Sequence, residues 1–194
     1  MLFTNEQNKQ LTAIHSTTSM VECECLYQLA QTLGENDAIV ELGTGLGRTA
    51  CAMAFACVGT GRRVYTIDNY QESERYGKAV NSTWDKQNAL HNIRSLNLDP
   101  YVVLLEGESY VPPAFVPNII GMIFIDANHS YEGVKKDILA WKDRLKPDGL
   151  FTGHDWIVTN SDGRQVIRAV VETVMDTHHE FKLTERVWSV KRYW

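Results

Sequence analysis

Apolar residues recur along this chain with two different periods, and the periods alternate. Over 20–33 (MVECECLYQLAQTL), Met20, Cys23, Tyr27, Ala30 and Leu33 fall on one helical stripe, with Gly34 placed to end the helix. Residues 38–42 (AIVEL) predict a buried strand. A glycine-rich turn follows, then an alanine-rich helix over 47–58, ended by Gly59 and Gly61, and a second strand over 64–67 (VYTI). Residues 69–81 are polar and irregular, with Tyr70 and Tyr76 among them. A helix is expected over 82–96, a third strand over 101–105, and a fourth over 119–125 (IIGMIFI). That last unbroken apolar run suits a parallel strand covered on both faces. Val134, Ile138, Trp141 and Leu145 predict an amphipathic helix over 131–145. Pro147-Asp148-Gly149 reads as a turn and 150–153 as a fifth strand. A helix over 163–176 and two close strands, 180–184 and 187–192, complete the chain.

Strand–helix alternation implies an α/β, Rossmann-like three-layer sandwich. The connection between the last two strands is too short for a crossover, so they pair antiparallel. The sum is a seven-stranded, mostly parallel sheet with an antiparallel C-terminal strand and with 38–42 as its central strand. At 194 residues the chain reads as one domain, with 1–34 an N-terminal helical segment.

Composition narrows the function classes. The formal net charge of −5 gives no basic footprint for nucleic acid. No apolar stretch is long enough for a membrane span, and no secretory signal opens the chain, so a cytoplasmic location is expected. Cys23, Cys25, Cys51 and Cys57 lack metal-ligand spacing and read as small apolar residues of a reduced protein. The expected partner is a small molecule, and the sequence admits a homo-oligomer.

ELGTGLGRT at 41–49 stands between a strand and a helix. Gly43, Gly45 and Gly47 let the backbone approach a ligand, and the helix start offers N–H groups to an anion. Asp68 closes the second strand, where a carboxylate accepts both hydroxyls of a ribose. The G-x-G-x-G spacing fails the dinucleotide fingerprint, which disfavours an NAD-dependent oxidoreductase. Glu41, just before the glycines, suits the cationic amine of an adenosyl amino acid and would repel a pyrophosphate.

ELGTGLG followed by TID at 66–68 resembles motifs I and II of the class I S-adenosyl-L-methionine-dependent methyltransferases. The resemblance covers about 35–192 and implies that family's fold, cofactor and activity. It implies cofactor contacts from Glu41, Gly43, Thr44, Gly45, Gly47, Asp68 and Asn69. It implies further contacts from Gly107, Glu108 and Ser109, in the loop that borders the adenine, and from Asp126.

FIDANHSYEG (124–133) ends the fourth strand and GHDW (153–156) ends the fifth. Adjacent strands lie about 4.8 Å apart, so Asp126 and Asp155 should approach each other, with His129 and His154 near. Two such carboxylates repel, and a divalent cation resolves the conflict. The pattern resembles bacterial metal-dependent O-methyltransferases and cephalosporin-hydroxylase-like proteins. Asp126, His129, Tyr131 and Glu132 match the first part of their motif; Lys146-Pro147-Asp148-Gly149 and Asp155 match the second. The resemblance implies magnesium or another divalent metal on Asp126 and Asp155, and His154, which stands where such relatives carry a further acidic residue, is the candidate third ligand. Successive strand residues point to opposite faces, so His154 and Asp155 reach one ion only if the strand end curls. A metal-free site, with Asp126 holding the methionine part of the cofactor, is the alternative reading. His129 alternatively caps the following helix, and His154 is alternatively a structural hydrogen-bonder.

The expected reaction is O-methylation of a small hydroxylated acceptor, with His129 or His154 as base. The rivals are a metal-free enzyme with a nitrogen or carboxylate acceptor, and a non-catalytic cofactor-binding subunit.

Overall fold

The computed structural model describes residues 3–71, 86–175 and 180–191. Two helices precede the sheet. The first, α1 (Asn5–Ala13), opens with a capping box in which Thr4 and Gln7 exchange side-chain-to-backbone bonds. The second, α2 (Met20–Gln31), opens with the same device from Ser19 and Glu22. Then follow β1 (Ala38–Leu42), α3 (Arg48–Phe55), β2 (Arg63–Asp68), α4 (Lys86–Ser95), β3 (Val102–Glu106) and β4 (Ile120–Ile125). The chain continues through α5 (Tyr131–Trp141), β5 (Leu145–Gly153), α6 (Ser161–Thr173), β6 (Glu180–Thr184) and β7 (Val187–Lys191).

The sheet has seven strands in the order β3-β2-β1-β4-β5-β7-β6. Pairing is parallel from β3 through β5 and antiparallel at β5–β7 and β7–β6. This is the expected Rossmann-like sandwich. β1, expected to be central, is instead the third strand: two strands lie beyond it on one side and four on the other, so β4 occupies the middle of the sheet.

The strands sort their side chains by alternation. Ile39, Met122 and Phe124 pack on one face with α1 to α4; Val40, Leu42, Ile123 and Ile125 pack on the other with α5 and α6. The helix expected over 131–145 stops at Trp141, and a 3₁₀ turn covers Lys142–Arg144. Leu145 already belongs to β5, opposite Ile120. The register shifts between Ile120 and Met122, and Asp148 takes φ +61° within the irregular stretch. Pro147-Asp148-Gly149 therefore bends a strand from within instead of separating two elements. The start of the helix expected at 82, the residues Tyr76, Trp84, His178 and His179, and the end of the strand expected to reach 192 lie outside the described residues.

Candidate active site

A cleft of about 590 Å³ opens along the carboxyl ends of β1, β2, β3, β4 and β5. Its floor begins at the glycine loop. Gly43, Gly45 and Gly47 take φ of +95°, +51° and +84°. Gly43 is irreplaceable sterically, because a Cβ there would stand 2.2 Å from the carbonyl oxygen of Asp126. Loop and β4 are thus packed backbone to backbone, which brings Asp126 to the loop. Gly47 is the N-cap of α3. Gly43, Thr44 and Gly45 line the cleft, and Gly47 lies behind them.

Asp68 organises this floor. Its Oδ2 accepts from the N–H groups of Thr44 and Gly45, each at 2.9 Å, and Oδ1 accepts from the Tyr70 N–H at 2.7 Å. One carboxylate fixes both sides of the bend, and its remaining acceptor capacity faces the cleft. Asn69 Nδ2 donates to Glu108 Oε1 at 3.2 Å, tying the β2 and β3 ends together. Glu108 and Ser109 line the cleft. Gly107 supports it from outside, its N–H donating to the Asp68 carbonyl at 3.0 Å.

Glu41 departs from expectation. It is fully buried and does not line the cleft. It accepts a short hydrogen bond from Thr66 Oγ1, which is 2.6 Å from Thr44 Oγ1. Burial pushes its carboxyl up to about 8, against hydrogen bonds from Thr49 and Thr66. The residue braces the glycine loop from beneath, and its position offers no charge to a ligand amine. A folded-state value above the unfolded one means that the folded protein holds the extra proton. Stability from this group is therefore full below about 4.5 and is lost as pH rises towards 8. Chemical denaturation should show wild type losing about 2 kcal/mol between pH 6 and pH 8 from this source. Glu41→Gln should flatten that slope, and an unchanged slope would place the ionisation elsewhere.

At the other end of the cleft Asp126, His129, His154 and Asp155 come together, as the strand adjacency predicts. His129 Nε2 lies 3.1 Å from Asp155 Oδ2 and 3.5 Å from Asp126 Oδ1. His154 Nδ1 lies 3.3 Å from Asp155 Oδ1 and 3.6 Å from Asp126 Oδ1. Asp155 has φ +58°, so the strand end does curl, and consecutive side chains converge on one point. Ser130, not His129, caps α5, accepting from the Gly133 N–H at 3.1 Å.

Two residues of this cluster carry no motif in the sequence. Glu22 of α2 is fully buried, and its Oε2 lies 3.2 Å from His154 Nε2, at ion-pair distance but off the line of a well-aligned hydrogen bond. Arg186, in the β6–β7 turn, donates its backbone N–H and Nε to Glu22 Oε1, and Nη2 to Glu22 Oε2. Its Nη1 lies 3.9 Å from Asp155 Oδ1. The Ser19-x-x-Glu22 spacing announces a helix cap, yet gives no hint that the same carboxylate reaches the fifth strand.

Burial alone would lower the His154 pKa, but the charge of Asp126 and the bonds to Asp155 and Glu22 outweigh it and raise the group to about 10. Burial would raise Glu22, but His154, the Ser19 N–H and Arg186 hold it at about 2. Burial also opposes ionisation of Asp155, which His154, His129 and Arg186 nevertheless keep below the usual carboxylate range. The carboxylates thus have cationic partners of their own, Arg186 of the β6–β7 turn among them.

The segment between α1 and α2 closes the cleft, with His15, Ser16, Thr17 and Thr18 on its wall. Arg48 pins it by donating to the carbonyls of Ile14 (2.7 Å) and Thr18 (2.9 Å), and Arg186 by donating to that of Thr17 (2.6 Å). Among the described residues no helix is long and apolar enough to cross a membrane.

The fold is shared with solved methyltransferases. The O-methyltransferase NovP is 15% identical with a TM-score of 0.70, over 92% of this chain and 84% of that one. The cofactor-bound Rv0187 from MTB is 14% identical with a TM-score of 0.69, over 96% and 87%. An O-methyltransferase from Bacillus cereus, in complex with SAH, is 16% identical with a TM-score of 0.67, over 99% and 93%. At this identity such likeness speaks for the fold. Sequence speaks for more: the family described as a methyltransferase domain matches residues 40–156, more than half of the chain, from within β1 to the residue after Asp155. That span holds the glycine loop, Asp68 and both aspartates of the cluster, and the chain belongs to this methyltransferase family.

Proposed function

We propose that the enzyme takes its methyl group from S-adenosyl-L-methionine and passes it to a hydroxyl oxygen of a small acceptor, assisted by a divalent ion. The observation that carries this reading is the convergence of Asp126, His154 and Asp155 beside the glycine loop. Their ligand atoms lie within 4.8 Å of one another.

The residues present fit both groups. For the donor, the cleft has the volume of a ligand site, a glycine loop in which no side chain could replace Gly43, and an acidic residue at the β2 end. The names of NovP and the Bacillus cereus protein, both O-methyltransferases, the latter with SAH bound, agree with that fit. For the ion, His154 presents Nδ1 to the two aspartates and Nε2 to Glu22. A carboxylate behind the imidazole is the usual way to orient a metal-binding histidine. Two oxygens and one nitrogen suit manganese or zinc as well as magnesium.

A bound ion would lower the pKa of an acceptor hydroxyl and hold it near the methyl group. The sulfonium already activates the methyl, so the chain's own task is alignment and proton removal. His129 is the group placed for the proton. It is one-third exposed to the cleft, and Asp155 Oδ2 at 3.1 Å stabilises its charged form once the proton has moved. His15 to Thr18 form a wall of the same cleft. The metal-free reading has an observation of its own, since Arg186 and protonated His154 already offset the aspartates.

The test is calorimetry with S-adenosylhomocysteine and with NAD, followed by turnover to S-adenosylhomocysteine on a panel of hydroxylated acceptors, before and after chelation. Micromolar binding of the adenosyl ligand alone is expected, about −8 kcal/mol. Activity should be lost on chelation and restored by a divalent ion. Full activity after chelation would leave the donor and remove the ion.

A further inference from the structure

The helices α1 and α2 open with the same capping device, but at the second the device carries a charge into the interior. Gln7 closes the first box near the surface as a neutral amide. Glu22 closes the second as a carboxylate with no exposed surface. A cap of this kind needs one acceptor oxygen, which an amide supplies equally well. The charge of Glu22 therefore answers to something other than the cap, and the groups within its reach are Arg186 and His154.

Glu22 is fixed in place. Oε2 accepts from the Ser19 N–H at 2.7 Å and from Arg186 Nη2 at 3.1 Å, and Oε1 accepts from the Arg186 backbone N–H at 3.0 Å and Nε at 3.1 Å. His154 is held as firmly. Its N–H donates to the Ile125 carbonyl at 3.0 Å, and its own carbonyl accepts from Trp188 Nε1 at 3.2 Å. The imidazole stands with Nε2 3.2 Å from Glu22 Oε2 and with Nδ1 3.3 Å from Asp155 Oδ1 and 3.6 Å from Asp126 Oδ1. Turning the ring over would set carbon atoms in both places.

The nitrogen at the back of the ring governs the one in front. An acceptor beside Nε2 keeps the proton there and leaves the Nδ1 lone pair to an ion, and a carboxylate in that place also makes the ring a stronger donor. Imidazole suits zinc or iron, whereas magnesium is held by carboxylates and water. We propose that Glu22 is a positioning residue of the ion site, and that through His154 it gives the site a preference for a nitrogen-accepting divalent ion of the zinc class over magnesium. The proposal rests on the divalent-ion reading above. Arg186 completes the arrangement: it pairs the charge of Glu22, so that the two charges of the ion are balanced by Asp126 and Asp155. Helix α2 thereby belongs to the site without supplying a ligand to it.

The experiment titrates the metal-stripped full chain with cobalt(II), the spectroscopic substitute for zinc, followed by visible absorption. Magnesium affinity is taken by calorimetry on the same samples. Wild type, Glu22→Gln, His154→Gln and the double variant are compared. Glu22→Gln keeps the cap and the volume. It should weaken cobalt binding by about 10–100-fold, the range for loss of the outer partner of a ligating histidine. Magnesium, which depends on the aspartates, should change by less than about threefold. In the His154→Gln background Glu22→Gln should cost cobalt less than about threefold more, because Glu22 acts only through the ring. A carboxylate that merely anchors α2 would do neither. Glu22→Gln with an unchanged ratio of cobalt to magnesium affinity would overturn the inference, as would losses that add in the double variant. In both cases wild type still binds cobalt and the divalent-ion reading survives. Wild type that binds neither ion would remove that reading and this inference with it.

Discussion

Asp155→Asn is expected to lower turnover by on the order of 10²–10⁴-fold, the range for loss of a positioned acid–base system, while S-adenosylhomocysteine affinity changes by less than about threefold. The asymmetry comes from where the side chain sits. Asp155 touches His129 at 3.1 Å, His154 at 3.3 Å and Arg186 at 3.9 Å. It makes no hydrogen bond to the glycine loop, which depends on Asp68. Neutralising it removes one oxygen ligand from the proposed ion and the charge that favours protonated His129. Both losses fall on the acceptor side. Burial of Asp155 is incomplete, so the amide is accommodated and the fold should persist. Steady-state kinetics and calorimetry on the same preparation check the split. A variant that loses donor binding and turnover in parallel would move Asp155 from the acceptor side to the donor side. Loss of turnover without change in metal content would assign Asp155 to His129 rather than to the ion.

Why the two aspartates meet was legible in the sequence, and why they tolerate each other was not. Apolar runs at 119–125 and 150–153 mark two neighbouring strands, and the carboxyl end of each carries an aspartate. Proximity then follows from sheet geometry alone. Their compensation comes from Glu22 and Arg186, separated by 164 positions and joined only when the β6–β7 hairpin turns back against α2. Local pattern contains no such information. The same distinction explains Glu41. Its place before the glycines marks it as part of the loop motif, but whether a strand residue points into the cleft or beneath it depends on packing on both faces. Here Thr66 on the neighbouring strand takes the carboxyl into the interior. Leu145 shows a third case. It continues the helical apolar spacing of Val134, Ile138 and Trp141, yet it is the first residue of β5, because strand pairing with Ile120 outweighs continuation of the helix. Within the N-terminal helical segment, the bounds of α1 were not legible for the opposite reason. Few apolar positions mark it, and Thr4 and Gln7, the capping box that does, need reading as a start signal.

Glu22→Ala should destabilise the protein by roughly 3–5 kcal/mol, the cost of removing one partner from a buried ion pair. For a chain of this size that corresponds to a fall in Tm of roughly 6–20 °C. Glu22 is fully buried, accepts hydrogen bonds from the Ser19 N–H at 2.7 Å and from Arg186, and faces His154 at an ion-pair distance of 3.2 Å. Deleting the carboxylate leaves a buried imidazolium and a half-buried guanidinium with less negative charge to face. It also unties α2 from the fifth strand and from the β6–β7 turn. The pH dependence distinguishes this electrostatic cost from a simple cavity. Glu22 stands at about 2 in the folded protein against 4.5 as its ordinary value. Its contribution is therefore full above about 5.5 and declines as pH falls through the interval down to 2. The gap between wild type and Glu22→Ala should shrink by about 1 kcal/mol between pH 6 and pH 3.5. Glu22→Gln, which preserves volume and one acceptor, should recover packing without recovering that pH dependence. Thermal and chemical unfolding at the two pH values measure both quantities. A gap that stays constant across this range would mean that α2 is held by its apolar face, Cys23, Leu26 and Ala30, and that the charge of Glu22 has no part in joining the N-terminal helix to the catalytic cluster.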